Sequence, residues 1–206
     1  MISAREALDR LQAGNARFTA TLGNGGTRSP GGRAPELTMN QEPHAIILGC
    51  SDARVPAEIV FDQGMGDLFV IRVAGNIVAP SQVGSVEFAA ARFGTRLVVV
   101  LGHTECGAIL ATLEELQRPN ETQSRNLRSI VDRVRPSVEG LLDTHLDRSA
   151  LIAHAVRNNI RASANHLRHG SAVLEQLIQD DGLLVVGAEY SLETGVVDFF
   201  DGVPAA

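Results

Sequence analysis

Leu97-Val98-Val99-Val100-Leu101-Gly102-His103-Thr104-Glu105-Cys106-Gly107 decides how this chain folds. Large apolar residues stand in a row with no polar alternation, and a turn rich in metal-binding side chains follows at once. A strand buried on both faces reads this way, and such strands belong to parallel sheets covered by helices. Comparable runs lie at about 45–49, 68–73 and 183–188, and helical stretches lie at about 80–93, 107–117 and 149–169. This alternation predicts an α/β fold with a central, mostly parallel sheet of four strands flanked by helices. The ending Gly195-Val196-Val197-Asp198-Phe199-Phe200, after Glu193-Thr194, predicts a hairpin return and therefore an antiparallel edge strand.

Leu8, Leu11 and Phe18 give residues 3–20 the apolar stripe of a helix. The glycine-rich stretch from Gly23 to Gly32 then has no periodicity and reads as a flexible connector. Residues 1–36 are thus expected to form an N-terminal helical arm and loop, one that lets the first helix reach over a neighbouring subunit. The whole chain, 1–206, is expected to be one domain, since no repeat or linker divides it. Asn126–Val134 reads as a helix ended by Arg135-Pro136, because proline cannot continue one.

With 206 residues, 44% of them hydrophobic and 20% charged, the chain can bury a sizeable core. Its net charge of −6 argues against a nucleic-acid or anionic-membrane surface. It contains no lysine, which excludes Schiff-base lysine chemistry and a P-loop lysine. No apolar stretch approaches the roughly 20 residues of a membrane span. Residues 1–20 lack the apolar centre of a signal peptide, so a cytoplasmic location is expected. In that reducing compartment the two cysteines favour metal binding over a disulfide.

Cys50 lies in Gly49-Cys50-Ser51-Asp52-Ala53-Arg54, directly after Ala45-Ile46-Ile47-Leu48, and Cys106 lies three residues after His103. Two thiolates and an imidazole at the ends of two buried strands supply three zinc ligands. They leave a fourth position for water or a nearby carboxylate, as catalytic zinc sites do. Cys106 is placed to start a helix, whose positive end favours a thiolate. Gly102 and Gly107 would let backbone approach the ion. A guanidinium on Arg54 paired with Asp52 would hold that carboxylate away from zinc; unpaired, Asp52 becomes a fourth ligand in a closed state. Taken singly, each feature has a bland reading: a loop-capping ion pair, a buried histidine, two inert core cysteines. Their conjunction at two strand ends outweighs those readings. Elsewhere, His166-x-x-His169 reads as surface histidines, Glu105 as solvent-facing, and Gly64-Met65-Gly66 lacks the context of a dinucleotide loop.

Cys50-x-Asp52-x-Arg54 with His103-x-x-Cys106-Gly107 resembles the β-class carbonic anhydrases. The similarity continues through Gly66-Asp67-Leu68-Phe69-Val70-Ile71-Arg72-Val73-Ala74-Gly75-Asn76 and Gly84-Ser85-Val86-Glu87-Phe88-Ala89, and covers about residues 4–200. The resemblance implies Zn2+ held by Cys50, His103 and Cys106, an Asp52–Arg54 catalytic dyad, and reversible hydration of carbon dioxide to bicarbonate and a proton by zinc-bound hydroxide. It also implies a homodimer or homotetramer with active sites near the subunit interface, and substrate-lining positions at Gln63, Phe69, Phe88 and Gly107. A bacterial subgroup has a tryptophan three residues before the first ligand cysteine, in a pocket for inhibitory bicarbonate. Ile47 stands there, although Arg72 and Tyr190 match the rest of that pocket, so no bicarbonate-triggered closure is expected. The rival readings are a hydrolase of carbon disulfide or carbonyl sulfide with the same zinc site, and a non-catalytic zinc module in which Asp52 permanently fills the fourth position.

Overall fold

The computed structural model describes residues 2–22, 41–118 and 124–205. The glycine-rich connector expected at 23–32 lies outside them. Five strands form one sheet: β1 (Ala45–Gly49), β2 (Leu68–Arg72), β3 (Leu97–His103), β4 (Leu184–Tyr190) and β5 (Val197–Asp201). Their order is β2-β1-β3-β4-β5, with β4–β5 antiparallel and the other pairs parallel. The four parallel strands and the antiparallel edge are those read from the sequence.

Side chains alternate across a strand, so a strand with no polar residue needs cover on both sides. Ile46, Leu48, Val98 and Val100 face a thick helical layer: α3 (Pro80–Arg92), α4 (Gly107–Gln117), α5 (Arg125–Val138), α6 (Arg148–His169) and α7 (Ala172–Asp180). Ala45, Ile47, Val99 and Leu101 face α1 (Ala4–Leu22) and the short α2 (Ala57–Val60). All seven residues of β3 are buried, in keeping with its central place.

The first helix is more than an arm: it packs on its own sheet, with Leu8 and Leu11 buried among Ile47, Val99 and Leu101. Two residues make this docking possible. A methyl group at Gly14 would overlap the Phe61 carbonyl, so only glycine allows the approach. Buried Asn15 donates to the carbonyls of Val60 (3.1 Å) and Gly195 (2.9 Å) and accepts from the Val197 N–H (2.9 Å). It thereby ties α1 to both the α2 turn and the β4–β5 hairpin.

The helix α5 departs from expectation, running through Pro136 to Val138. Proline there removes one hydrogen bond in the last turn only. The buried Val131, Val134 and Val138 hold that turn by packing.

The chain leaves β1 to form β2 on one side, then crosses back to form β3 on the other. Strand order reverses at this point, which opens a crevice at the carboxyl ends of β1 and β3. The register pairs Gly49 with Leu101, so Cys50 and His103 emerge side by side.

Candidate metal centre

Cys50 follows the last residue of β1, His103 ends β3, and Cys106 occupies the N-cap position of α4. Between the last two, Thr104 is fixed by its N–H on the Tyr190 carbonyl (3.0 Å) and by its hydroxyl, which accepts from the Leu192 N–H (3.0 Å). The exposed Glu105 then takes a left-handed conformation (φ 55°) that swings the chain into the helix. Cys50, His103 and Cys106 are all buried, and their ligand atoms lie within 4.8 Å of one another.

This geometry suits zinc. The Cys50 and Cys106 sulfurs are 3.9 Å apart and unbonded. A tetrahedral ion with Zn–S bonds of about 2.3 Å requires roughly 3.8 Å between two thiolates. The ring of His103 has its Nδ1 2.9 Å from the Thr104 carbonyl, which can only accept, so Nδ1 carries the proton. Nε2 therefore keeps its lone pair, is fully buried, and has no hydrogen-bond partner. An orphaned buried acceptor beside two sulfurs is a donor set that a cation satisfies.

The two thiols interact strongly. The hydrogen bond to Cys106 pulls the Cys50 thiol well below its ordinary value against the cost of burial, and the same contact pushes Cys106 up. Burial opposes protonation of His103, yet the Cys50 sulfur and the Thr104 carbonyl outweigh it and raise its pKa. A metal would displace these protons, so occupancy should weaken in acid.

Asp52 and Arg54 form a two-pronged pair. Arg54 donates from Nε to Oδ1 (2.9 Å) and from Nη2 to Oδ2 (2.7 Å), and its backbone N–H also reaches Oδ1 (3.0 Å). These bonds hold the Asp52 carboxyl well below the usual carboxylate range. Its Oδ2 lies 3.7 Å from His103 Nε2, at the edge of the triangle. Beside Arg54 opens a cleft of about 470 Å3, lined also by Thr104, Glu105, Glu189 and Glu193.

Three further contributors act here, two of them through backbone groups and the third, Arg72, in a role other than the bicarbonate-pocket match noted from the sequence. Gly75 donates its N–H to the Cys50 sulfur (3.4 Å), and Thr104 sets the histidine tautomer through its carbonyl; both act through backbone. Arg72 clamps the ligand loop by donating to the carbonyls of Cys50 (3.0 Å) and Asp52 (2.5 Å).

Other expectations fare differently. Gly102 serves the helix–sheet contact, where a methyl would come within 2.6 Å of Ile160 on α6. Gly107 is the exposed first residue of α4, with open space where a side chain would stand. Nor does the fold bring Gln63, Phe69 and Phe88 to the triangle of the same chain. Gln63 lies against α1 and donates to the Phe61 carbonyl (2.6 Å). Phe69 pairs in register with Ile46, three residues before Gly49 and so about 10 Å along the sheet. Phe88 is 53% exposed on α3 and packs with Phe69 and Phe93. His166 and His169 are exposed, as expected of surface histidines, and Asp62 pairs with Arg17 while Asp67 accepts from the Gly64 N–H.

The family model described as carbonic anhydrase matches residues 45–197. A carbonic anhydrase of Mycolicibacterium smegmatis is 39% identical over 189 residues, which cover 91% of this chain and 89% of that protein. Among solved structures, a β-carbonic anhydrase of Aspergillus fumigatus superposes with a TM-score of 0.74 at 26% identity, covering 83% of this chain and 81% of that one. Tetrameric β-carbonic anhydrases from Sordaria macrospora give 0.71 at 25% identity, covering 84% and 87%. Sheet order, ligand triangle and these likenesses agree: the chain belongs to the β-class carbonic anhydrases, a family of enzymes.

Proposed function

We propose that this chain catalyses the reversible hydration of carbon dioxide to bicarbonate and a proton at a zinc ion held by Cys50, His103 and Cys106. The observation that carries this reading is the two-pronged Asp52–Arg54 pair beside an otherwise three-ligand site. Bound zinc would supply Lewis acidity, bringing the pKa of water from 15.7 to about 7. Two thiolates donate strongly and temper that effect, so neighbouring groups matter.

The chain's own residues do the rest. Arg54 engages both carboxylate oxygens of Asp52 and so keeps it from the fourth position, against the non-catalytic module reading. Asp52, ionised throughout the neutral range, serves as a hydrogen-bond acceptor that orients the attacking oxygen. The cleft beside Arg54 gives the released proton a route to buffer.

Phe69 and Phe88 fit this proposal across a subunit interface. Among the described residues β2 pairs only with β1, and the exposed Phe88 stands beside that open edge. We place a second copy there, so that Phe69 and Phe88 line the partner's substrate pocket, with Gln63 as a further candidate. A dimer or tetramer follows, as in the tetrameric relatives from Sordaria. No helix among the described residues is long and apolar enough to cross a membrane, and the two free thiols suit a reducing cytoplasm.

The test is a parallel assay of zinc-loaded protein on carbon dioxide, carbon disulfide and carbonyl sulfide. Hydration of carbon dioxide well above the sulfur reactions supports the proposal. Turnover of the sulfur compounds alone would replace it with the hydrolase reading.

A further inference from the structure

The inner face of α6 is built on the buried Ile152, Ala155, Val156, Ile160, Ala164 and Leu167, and two polar residues, Asn159 and Ser163, interrupt it. A primary amide only 2% exposed in such surroundings is costly unless its groups are engaged. Its Nδ2 donates to the Gly75 carbonyl at 2.8 Å, and its Oδ1 lies 3.5 Å from the Ser137 hydroxyl. The two residues are 84 positions apart in the chain, so this bond links separate layers of the fold.

Gly75 is the residue whose N–H points at the Cys50 sulfur, 3.4 Å away. It sits in the left-handed region (φ 71°, ψ 19°), and Asn76 after it is also left-handed (φ 43°). A glycine has no side chain to hold its peptide planes, and several backbone states lie within reach. Something outside the turn has to select the one that aims the N–H at sulfur. The amide of Asn159, gripping the carbonyl on the other side of Gly75, is placed to do so.

We propose that Asn159 is a positioning residue for the metal centre: by holding the Gly75 carbonyl it keeps the Gly75 N–H on the Cys50 sulfur, and so sets how firmly that thiolate holds the ion. The inference rests on the zinc reading above and extends it to a residue that touches neither metal nor substrate. A purely structural asparagine, satisfying a buried carbonyl and nothing more, would affect stability alone.

The experiment compares parent, Asn159→Ala and Ser171→Ala. Ser171 caps α7 and bonds Glu87 (2.6 Å), with no hydrogen bond to the metal turn, so its loss calibrates a simple stability defect. Zinc affinity is read by chelator competition, and the cobalt(II)-substituted proteins report the thiolate-to-metal absorption band. Asn159→Ala should weaken zinc binding by about 10-fold or more and move the band to lower energy, because sulfur loses an N–H donor. Ser171→Ala should lower the melting temperature with both readouts unchanged. Parent-like zinc affinity and band position in Asn159→Ala would overturn the proposal. If that variant does not fold, Ser137→Ala replaces it, since it keeps the amide but frees its orientation. A smaller loss in the same direction then supports the proposal, and none overturns it. A parent that takes up neither metal would remove the zinc reading itself, a result distinct from either.

Discussion

A carboxylate beside a metal either fills its open position or is kept from it, and at Asp52 the deciding group is Arg54. Replacing Arg54 by alanine frees the carboxylate. We expect hydration to fall about 100-fold with zinc content unchanged. Retained turnover would remove the pair from the mechanism. The depressed pKa of Asp52 also carries a sign for pH. Its stabilising effect is complete above the ordinary carboxyl value of about 3.9 and is lost as pH falls towards the lower folded-state value. Asp52 therefore does not titrate near neutrality, and a rise of activity from about pH 7 to 9 at constant zinc content would report ionisation of water at the ion. Bicarbonate should inhibit without cooperativity, because Ile47 is buried in the sheet and Arg72 already clamps the Cys50 and Asp52 carbonyls. Sigmoidal inhibition curves would contradict this. The five residues at the centre were legible because side-chain chemistry and short spacing advertise them. Gly75 and Thr104 were not, since their contributions are backbone groups that any residue carries. Asn159 was hidden by its distance along the chain.

Among the elements, α1 is tied to both the α2 turn and the β4–β5 hairpin through one buried side chain, Asn15. Asn15→Ala leaves two carbonyls and an N–H without their partner at a buried site, a loss of about 2–4 kcal/mol. The expected result is a lower urea midpoint and faster trypsin cleavage after Arg10 and Arg17. Unchanged cleavage would mean that α1 docks by apolar packing alone. Apolar runs and helical periodicity were enough to place β1 to β4 and the helices α3, α4 and α6, but not the short α2 or α7. They could not say that α1 folds back on its own sheet, because an amphipathic stripe specifies a buried face and not what buries it. Nor could they carry α5 past Pro136: the local rule against proline yields to the packing of Val134 and Val138. Gly102 teaches a related point, since its neighbour in space is Ile160, 58 positions away along the chain and invisible to a local reading.

On the scale of the whole molecule, the reversal of strand order between β1 and β3 gathers ligands that lie 56 positions apart into one crevice. The open β2 edge and the exposed Phe88 predict a dimer or tetramer by sedimentation; a stable monomer with full activity would separate the substrate pocket from the interface. Chelation should lower the melting temperature and abolish activity, and zinc should restore both, because an emptied triangle leaves His103 Nε2 without a partner. The most direct measurement is stopped-flow hydration of carbon dioxide from about pH 7 to 9 on zinc-quantified protein, with Cys106→Ser alongside. Activity that climbs with pH and disappears with the zinc in Cys106→Ser is the predicted result. Full zinc occupancy with no hydration anywhere in that range would contradict the account.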